Sequence, residues 1–206
     1  MHVVIHADEA CLGNGQEPPT PGGYGGLVEF QGGRRQDAKT PRKGQAKERD
    51  QADLWGEPEV VIGPPQAEAC DYCGCAPDTT NNRMALTSAI VALDLLAART
   101  PGCSITFVSD SNYLILGMRE WVPAWRARGW RRKGGPIENL DLWQALVSRA
   151  ALHAIRWEWV RGHAGHPRNE YANALATRAA AQQLDSGGLV PSGYAAWLAG
   201  APRTGA

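Results

Sequence analysis

Apolar positions fall in short alternating or clustered stretches along most of the chain, and these stretches set out its elements. His2 to Ile5 is a β-branched run and predicts a strand ending near Asp8. Gly13 to Gly23 is rich in Gly and Pro and predicts a turn; Gly25 to Phe30 predicts the second strand of a hairpin. Glu59 to Gly63 predicts a third strand. Thr80 to Arg99 predicts a helix, with Ile90, Leu93 and Ala97 on one face and Thr100-Pro101-Gly102 as its stop. Ser104 to Val108 predicts a buried strand leading into Ser109-Asp110-Ser111. Leu114 to Trp125 and Leu140 to Leu152 predict helices. Ile155 to Val160 predicts a strand with Trp157 and Trp159 on one face, and Asn169 to Gln183 a last helix. That order implies an α/β (α+β) layer fold with a mixed sheet.

Two regions break the pattern. Residues 31–78 form a long insertion before the first helix. It carries Arg34, Arg35, Lys39, Arg42, Lys43, Lys47 and Arg49 and ends in a Pro- and Cys-rich stretch, so a loop or mobile segment is expected. From 184 to 206 the chain is rich in Gly, Ala and Pro and is expected to be a mobile tail on a domain spanning 1–183.

Composition narrows the classes. At 206 residues the chain suits one domain with a real core. It has no run of eighteen apolar residues, which argues against a membrane span. Its start lacks the basic-then-apolar pattern of a secretion signal, and five Cys is an odd count for a disulfide framework. A cytoplasmic setting is expected. The 21 basic residues balance the 21 acidic ones, but nucleic-acid binding depends on where charge sits, not on its sum.

An ordered set of motifs adds chemistry. It comprises Asp8 with Cys11-Leu12-Gly13-Asn14, then Pro21-Gly22-Gly23-Tyr24-Gly25, Thr79-Thr80-Asn81-Asn82-Arg83-Met84 and Ser109-Asp110-Ser111. Trp121 to Trp130 follows, then Trp157-Glu158-Trp159-Val160, Gly162-His163-Ala164-Gly165-His166-Pro167 and Asn169-Glu170. Together these resemble type 1 ribonuclease H (ribonuclease HI) from residue 3 to about 181, apart from the 31–78 insertion. The resemblance implies a five-stranded mixed sheet flanked by helices. It also implies two-Mg²⁺ hydrolysis of the RNA strand of an RNA–DNA hybrid at four carboxylates, a donor set that suits hard cations.

Two of those carboxylates match, Asp8 and Asp110. The other two positions hold Ala85, which has no ligand oxygen, and Asn173, which has no charge. Glu9 adjoins Asp8, but neighbouring strand residues point to opposite faces, so Glu9 is expected to lie apart from Asp8 as an exposed strand-end charge; compensation through a bend in the strand is the minor alternative. Weak Mg²⁺ binding and very weak or absent cleavage follow. His163 matches a loop His that assists proton transfer or product release in the family.

The resemblance assigns hybrid contacts to Cys11, Asn14, Thr80, Asn81, Asn82 and Asn112, some of them toward the 2′-hydroxyls that distinguish RNA. Thr79, Thr80 or Asn81 could equally cap the following helix. Residues 119–133, REWVPAWRARGWRRK, resemble the family's basic protrusion. Arg126, Arg128, Arg131, Arg132 and Lys133 could grip a DNA backbone. Trp121, Trp125 and Trp130 could pack on a sugar, although Trp121 and at least one other are expected to be mainly structural.

Cys70, Cys73 and Cys75 form C-x₂-C-x-C and are a candidate zinc set lacking a fourth ligand; free thiols in a loop are the plainer reading. Three readings stay open. One is a hybrid-binding pseudoenzyme that docks on a protein partner through its insertion. The second is a hybrid-specific endoribonuclease inactivated by engineered substitutions. The third is a protein-interaction module with a vestigial nucleic-acid surface.

Overall fold

The computed structural model describes residues 1–13, 19–32, 68–162 and 164–200. The first three strands are β1 (His2–Cys11), β2 (Gly22–Gln31) and β3 (Glu68–Ala76), joined as an antiparallel meander. Helix α1 (Asn81–Arg99) crosses to β4 (Ser104–Ser109), which runs parallel to β1. Next come α2 (Asn112–Leu116), a π-helical turn (Gly117–Trp121), α3 (Val122–Ala127) and α4 (Leu140–Ala150). The chain continues through β5 (Ala154–Trp159), parallel to β4, and α5 (Pro167–Gln182) to β6 (Val190–Pro191) and α6 (Tyr194–Gly200). The sheet order is β5-β4-β1-β2-β3-β6.

Strand alternation builds a core on each face of this sheet. Val3, Ile5 and Ala7 of β1 join Leu86, Ala89 and Leu93 of α1 and Trp143 of α4 in the larger core. On the other face, Leu27 of β2 meets Tyr171 and Leu175 of α5 in a smaller one. Gly23 and Gly25 let α5 rest on the main chain of β2, because a Cβ at either would overlap α5 atoms.

Four expectations change. The third strand is Glu68–Ala76, inside the expected insertion; Glu59 to Gly63 lies outside the described residues. The helix expected from Leu114 to Trp125 is interrupted at the π-helical turn, where the Val122 amide donates to the Gly117 carbonyl. Gly117 lies against the Trp143 indole, so any side chain there would collide with the ring. The sheet has a sixth, two-residue strand: β6 pairs with Cys70 and Asp71 of β3. Finally, the expected tail from 184 carries β6 and α6, and Tyr194 and Trp197 pack on the Tyr171 ring at 5.3 and 5.4 Å.

Buried Asp71 fastens that segment. One of its carboxylate oxygens, Oδ2, accepts from the Tyr171 hydroxyl at 2.5 Å and from the Gly193 amide at 2.9 Å. A carboxylate held by two donors at the sheet edge supplies the order that composition alone did not suggest. No described helix is long and apolar enough to cross a membrane.

Candidate active site

The β1–β4 ladder ends at His6↔Val108, while β1 continues alongside β2 as far as Cys11↔Gly22. Beyond His6, therefore, β1 overhangs a crevice at the carboxyl end of β4. Asp8 and Glu9 stand on that overhang and Asp110 follows the last residue of β4. The crevice beyond parallel strand ends is where sheets of this kind place ligands.

Carboxylate oxygens of Asp8, Glu9 and Asp110 all lie within 4.8 Å of one another. The expectation that Glu9 points away from Asp8 is thus overturned. Alternation itself still holds, but beyond His6 no strand pairs with β1 on the β4 side, so side chains from both faces can reach that gap, and a Glu is long enough to turn into it. Glu9 belongs to the odd-numbered β1 series, whose Val3, Ile5 and Ala7 face α1. Ala85 of α1 is 1% exposed in that same core. Glu9 therefore enters from the α1 side, the side on which a residue at 85 stands.

The acids are fixed to different degrees. Asp8 is 5% exposed; its Oδ1 accepts from the Glu9 amide at 2.7 Å and its Oδ2 from Asn169 Nδ2 at 3.2 Å. The Trp159 indole donates to the Asp110 carbonyl at 3.0 Å. Burial pushes the Glu9 carboxyl up to about 8, and the charges of Asp8 and Asp110 push the same way, with nearby Ser111 opposing them. Three hard oxygen donors crowded with this much like charge fit a divalent cation, which would relieve the repulsion.

Asn169 is the site residue that sequence reasoning placed only as part of a motif. It is 3% exposed, and its Oδ1 is buried without a hydrogen-bond partner. Asn173 lies one turn further along α5 and is half-buried. The loop between β5 and α5 presses on the cluster: Gly162 abuts Asp110 so closely that a Cβ there would overlap Oδ2. Glu170 Oε1 accepts from the Gly165 amide at 3.1 Å and fixes the far side of the loop. His163 and Asn14 lie outside the described residues.

The expected nucleic-acid residues divide by role. Thr80 is the N-cap of α1, accepting from the Arg83 amide at 3.3 Å, and Asn81 and Asn82 form the first helical turn. Cys11 is tied inward, its thiol donating to the Thr79 carbonyl at 3.4 Å. Asn112 is exposed at the start of α2. Trp121, Trp125 and Trp130 are half-buried against the larger core, and Trp121 and Trp125 lie 6.0 Å apart between centroids. Arg126, Arg128, Arg131, Arg132 and Lys133 are exposed. This stretch therefore combines aromatic roots with a solvent-facing positive surface.

The zinc set does not form. Cys70 and Cys73 are an odd number of residues apart on β3 and so face opposite sides, while only Cys73 and Cys75 share one. All five Cys are free, and among the described residues no cysteine joins a group of three close metal-ligating side chains.

Comparison with known proteins agrees with the geometry. Residues 66–181 match the RNase H family. Ribonuclease H of Pseudomonas paraeruginosa is 40% identical over 181 residues, covering 87% of this chain and 94% of that protein. The crystal structure of LC9-RNase H1, a type 1 RNase H with the type 2 active-site motif, is similar at a TM-score of 0.76 and 44% identity. It covers 96% of this chain and 81% of that one. The PFV RNase H domain, 13% identical with a TM-score of 0.61 over 87% of this chain and 94% of its own, shares the fold alone. With its six-stranded RNase H-like sheet, its carboxylates at the end of β1 and β4, and relatives that cover most of its length, the chain belongs to the ribonuclease H family.

Proposed function

We propose that this chain is a divalent-cation-dependent endoribonuclease acting on the RNA strand of RNA–DNA hybrids, with Asp8, Glu9 and Asp110 as its carboxylates. The observation that carries this reading is the convergence of those three side chains within 4.8 Å, which returns to the crevice a carboxylate missing at Ala85. That LC9-RNase H1 joins a type 1 fold to a type 2 active-site motif supports a rearranged site on this fold.

Asp8, Glu9 and Asp110 would hold the cation, with Asn169 orienting Asp8 and Trp159 orienting the Asp110 main chain. A bound divalent cation would supply positive charge to the scissile phosphate and acidity to the attacking water. Gly162 keeps the β5–α5 loop against Asp110, and Glu170 holds the same loop, the one that carries His163. The exposed Arg126, Arg128, Arg131, Arg132 and Lys133 supply the salt-sensitive grip on the DNA backbone. Asn81, Asn82 and Asn112, all at helix starts, are the contacts toward the minor groove.

Ala85 and Asn173 favour a second reading, a hybrid-binding domain with impaired catalysis. A labelled RNA–DNA hybrid, duplex DNA and duplex RNA, each incubated with Mg²⁺ or Mn²⁺ and titrated over a salt series, separate the two. Cleavage of the RNA strand of the hybrid alone supports the enzyme. Hybrid binding without cleavage supports the impaired domain, and absence of binding to all three leaves a protein-interaction module.

A further inference from the structure

Asn169 Nδ2 donates to Asp8 Oδ2 at 3.2 Å, and Asn169 lies in the first turn of α5. Local ties on that turn are few. Its N-cap, His166, makes no side-chain cap bond, and Pro167 brings no amide hydrogen. The glycine contacts of β2 meet the helix from Ala172 onward, and the first turn projects past them. There it borders a cavity of about 100 Å³, lined by His6, Val160, His166, Pro167, Arg168 and Asn169. A group beside a void lacks the packing contacts that hold one in a filled core. Asn169 Oδ1 is buried without a hydrogen-bond partner among the described residues, so its amide is not fixed from that side.

Arg168 supplies a tie from outside. Its Nε donates to Glu29 Oε2 at 2.8 Å. Glu29 lies within β2, opposite Val4 of β1 and Ala69 of β3, on a strand paired along both edges. The Arg168 side chain is 45% exposed and that of Glu29 18%. An ion pair with this much exposure adds little to global stability. A short, charge-assisted bond nonetheless fixes direction, so its effect falls on where the turn sits rather than on whether the chain folds.

We propose that Arg168 is a positioning residue for the metal site: its bond to Glu29 pins the first turn of α5 to β2 and thereby sets the Asn169 amide against Asp8. The proposal rests on the reading of Asp8 as a site carboxylate. It gives a role to an exposed arginine outside the basic stretch at 126–133, and it extends the support of the site from α5 to the middle of the sheet.

The test uses the full chain and Mn²⁺ alone as probe, titrated by calorimetry without nucleic acid, followed by steady-state cleavage of an RNA–DNA hybrid. Asn169→Ala removes the bond to Asp8 and is expected to weaken Mn²⁺ binding about tenfold or more, as for other partners that orient a metal ligand. Arg168→Met, one step further out, is expected to weaken it about fivefold. It raises the Mn²⁺ concentration needed for half-maximal kcat by a similar factor, while KM for the hybrid stays within about twofold. The melting temperature stays within a few degrees of wild type, because the pair is exposed. Arg168→Lys keeps a cation within reach of Glu29 and restores most of the affinity. Arg168→Met placed on Asn169→Ala causes no further loss, since both act through one bond.

Wild-type Mn²⁺ affinity in Arg168→Met, alongside a loss in Asn169→Ala, overturns the positioning role and leaves the site reading intact. A raised KM for the hybrid with Mn²⁺ affinity unchanged makes Arg168 a substrate contact and overturns it as well. Wild-type Mn²⁺ affinity in Asp8→Asn overturns both. Should Arg168→Met not fold, Arg168→Gln takes its place with the same expected direction.

Discussion

The backbone amide of Glu9 donates to Asp8 Oδ1 at 2.7 Å, so the two acids are tied through the main chain before their side chains meet Asp110. Sequence neighbours on a strand rarely share a site. Here they do because the parallel partner strand stops two residues short of Asp8.

This arrangement sets the first prediction. Glu9→Gln keeps the shape and removes one of three ligand charges, so hybrid cleavage is expected to fall by at least about a hundredfold, a cost of roughly 3 kcal/mol in transition-state stabilisation. Glu9→Ala combined with Ala85→Glu moves the carboxylate back to α1 and is expected to recover part of the loss. Ala85→Glu alone adds a fourth acid to a buried crowd and is expected to destabilise the fold. Single-turnover cleavage and urea unfolding of the four proteins check the set.

Gly162 lies so close to Asp110 Oδ2 that a methyl group at 162 must displace the carboxylate or the loop. Gly162→Ala is therefore expected to lower kcat about ten- to a hundredfold, since misplacement of a catalytic group by about 1 Å costs that much. The residue is only half-buried in a loop, so its melting temperature should stay within a few degrees of wild type. A matched fall in melting temperature and activity would refute the local explanation.

His6 gives a stability signature in acid. It is half-buried beside Glu29, Arg168 and His166, and its pKa drops from 6.5 to about 4. Burial is the main cause, and it outweighs the attraction of Glu29 at 3.8 Å; Arg168 and His166 push the pKa further down. The folded chain holds His6 neutral while the unfolded chain protonates it near 6.5. Its contribution is thus complete above pH 6.5 and is lost as pH falls toward 4, at up to about 1.4 kcal/mol per unit. His6→Gln cannot titrate and should flatten that slope in urea unfolding followed from pH 7 to 4. An unchanged slope would place the acid sensitivity elsewhere.

Tyr171→Phe removes one of the two donors on Asp71 Oδ2 and leaves a buried carboxylate whose other oxygen already lacks a partner. A loss of about 1.5–3 kcal/mol is expected, in the range for hydrogen bonds to charged groups. Limited proteolysis should then open between 184 and 200, with kcat unchanged because Tyr171 touches none of the cluster. Protection equal to wild type would show that β6 and the stacked rings of Tyr194 and Trp197 hold the segment without Asp71.

Much of this was legible in the chain itself. The β-branched run at β1, the stop at Thr100-Pro101-Gly102 and the paired Trp157 and Trp159 each carry a local signal strong enough to place an element, and the ordered motifs placed Asp8 and Asp110. What escaped was set by contacts distant in sequence. Gly22 to Gly26 read as a turn that becomes strand at Gly25, yet β2 begins at Gly22, because glycine there makes room for Tyr72, α5 and Thr79. β3 was hidden among cysteines, and its identity depends on pairing with β2 rather than on its own propensity. The tail was misread because what orders it is Asp71, more than a hundred residues earlier. The approach of Glu9 to Asp8 and Asp110 was the harder part to read, since it depends on where β4 ends, and that cannot be read from β1.

The glycine seat of α5 has a consequence for how such a site can change over time. Over Gly23 and Gly25 the helix touches main chain rather than side chains, and main chain there offers nothing that can be repacked to shift it. Asn169 and Asn173 ride on this fixed support. Exchanging the charged group at 173 for an amide therefore alters the electrostatics of the crevice while its dimensions stay put. Charge at 173 can thus be altered without redrawing the frame that holds Asp8, Glu9 and Asp110.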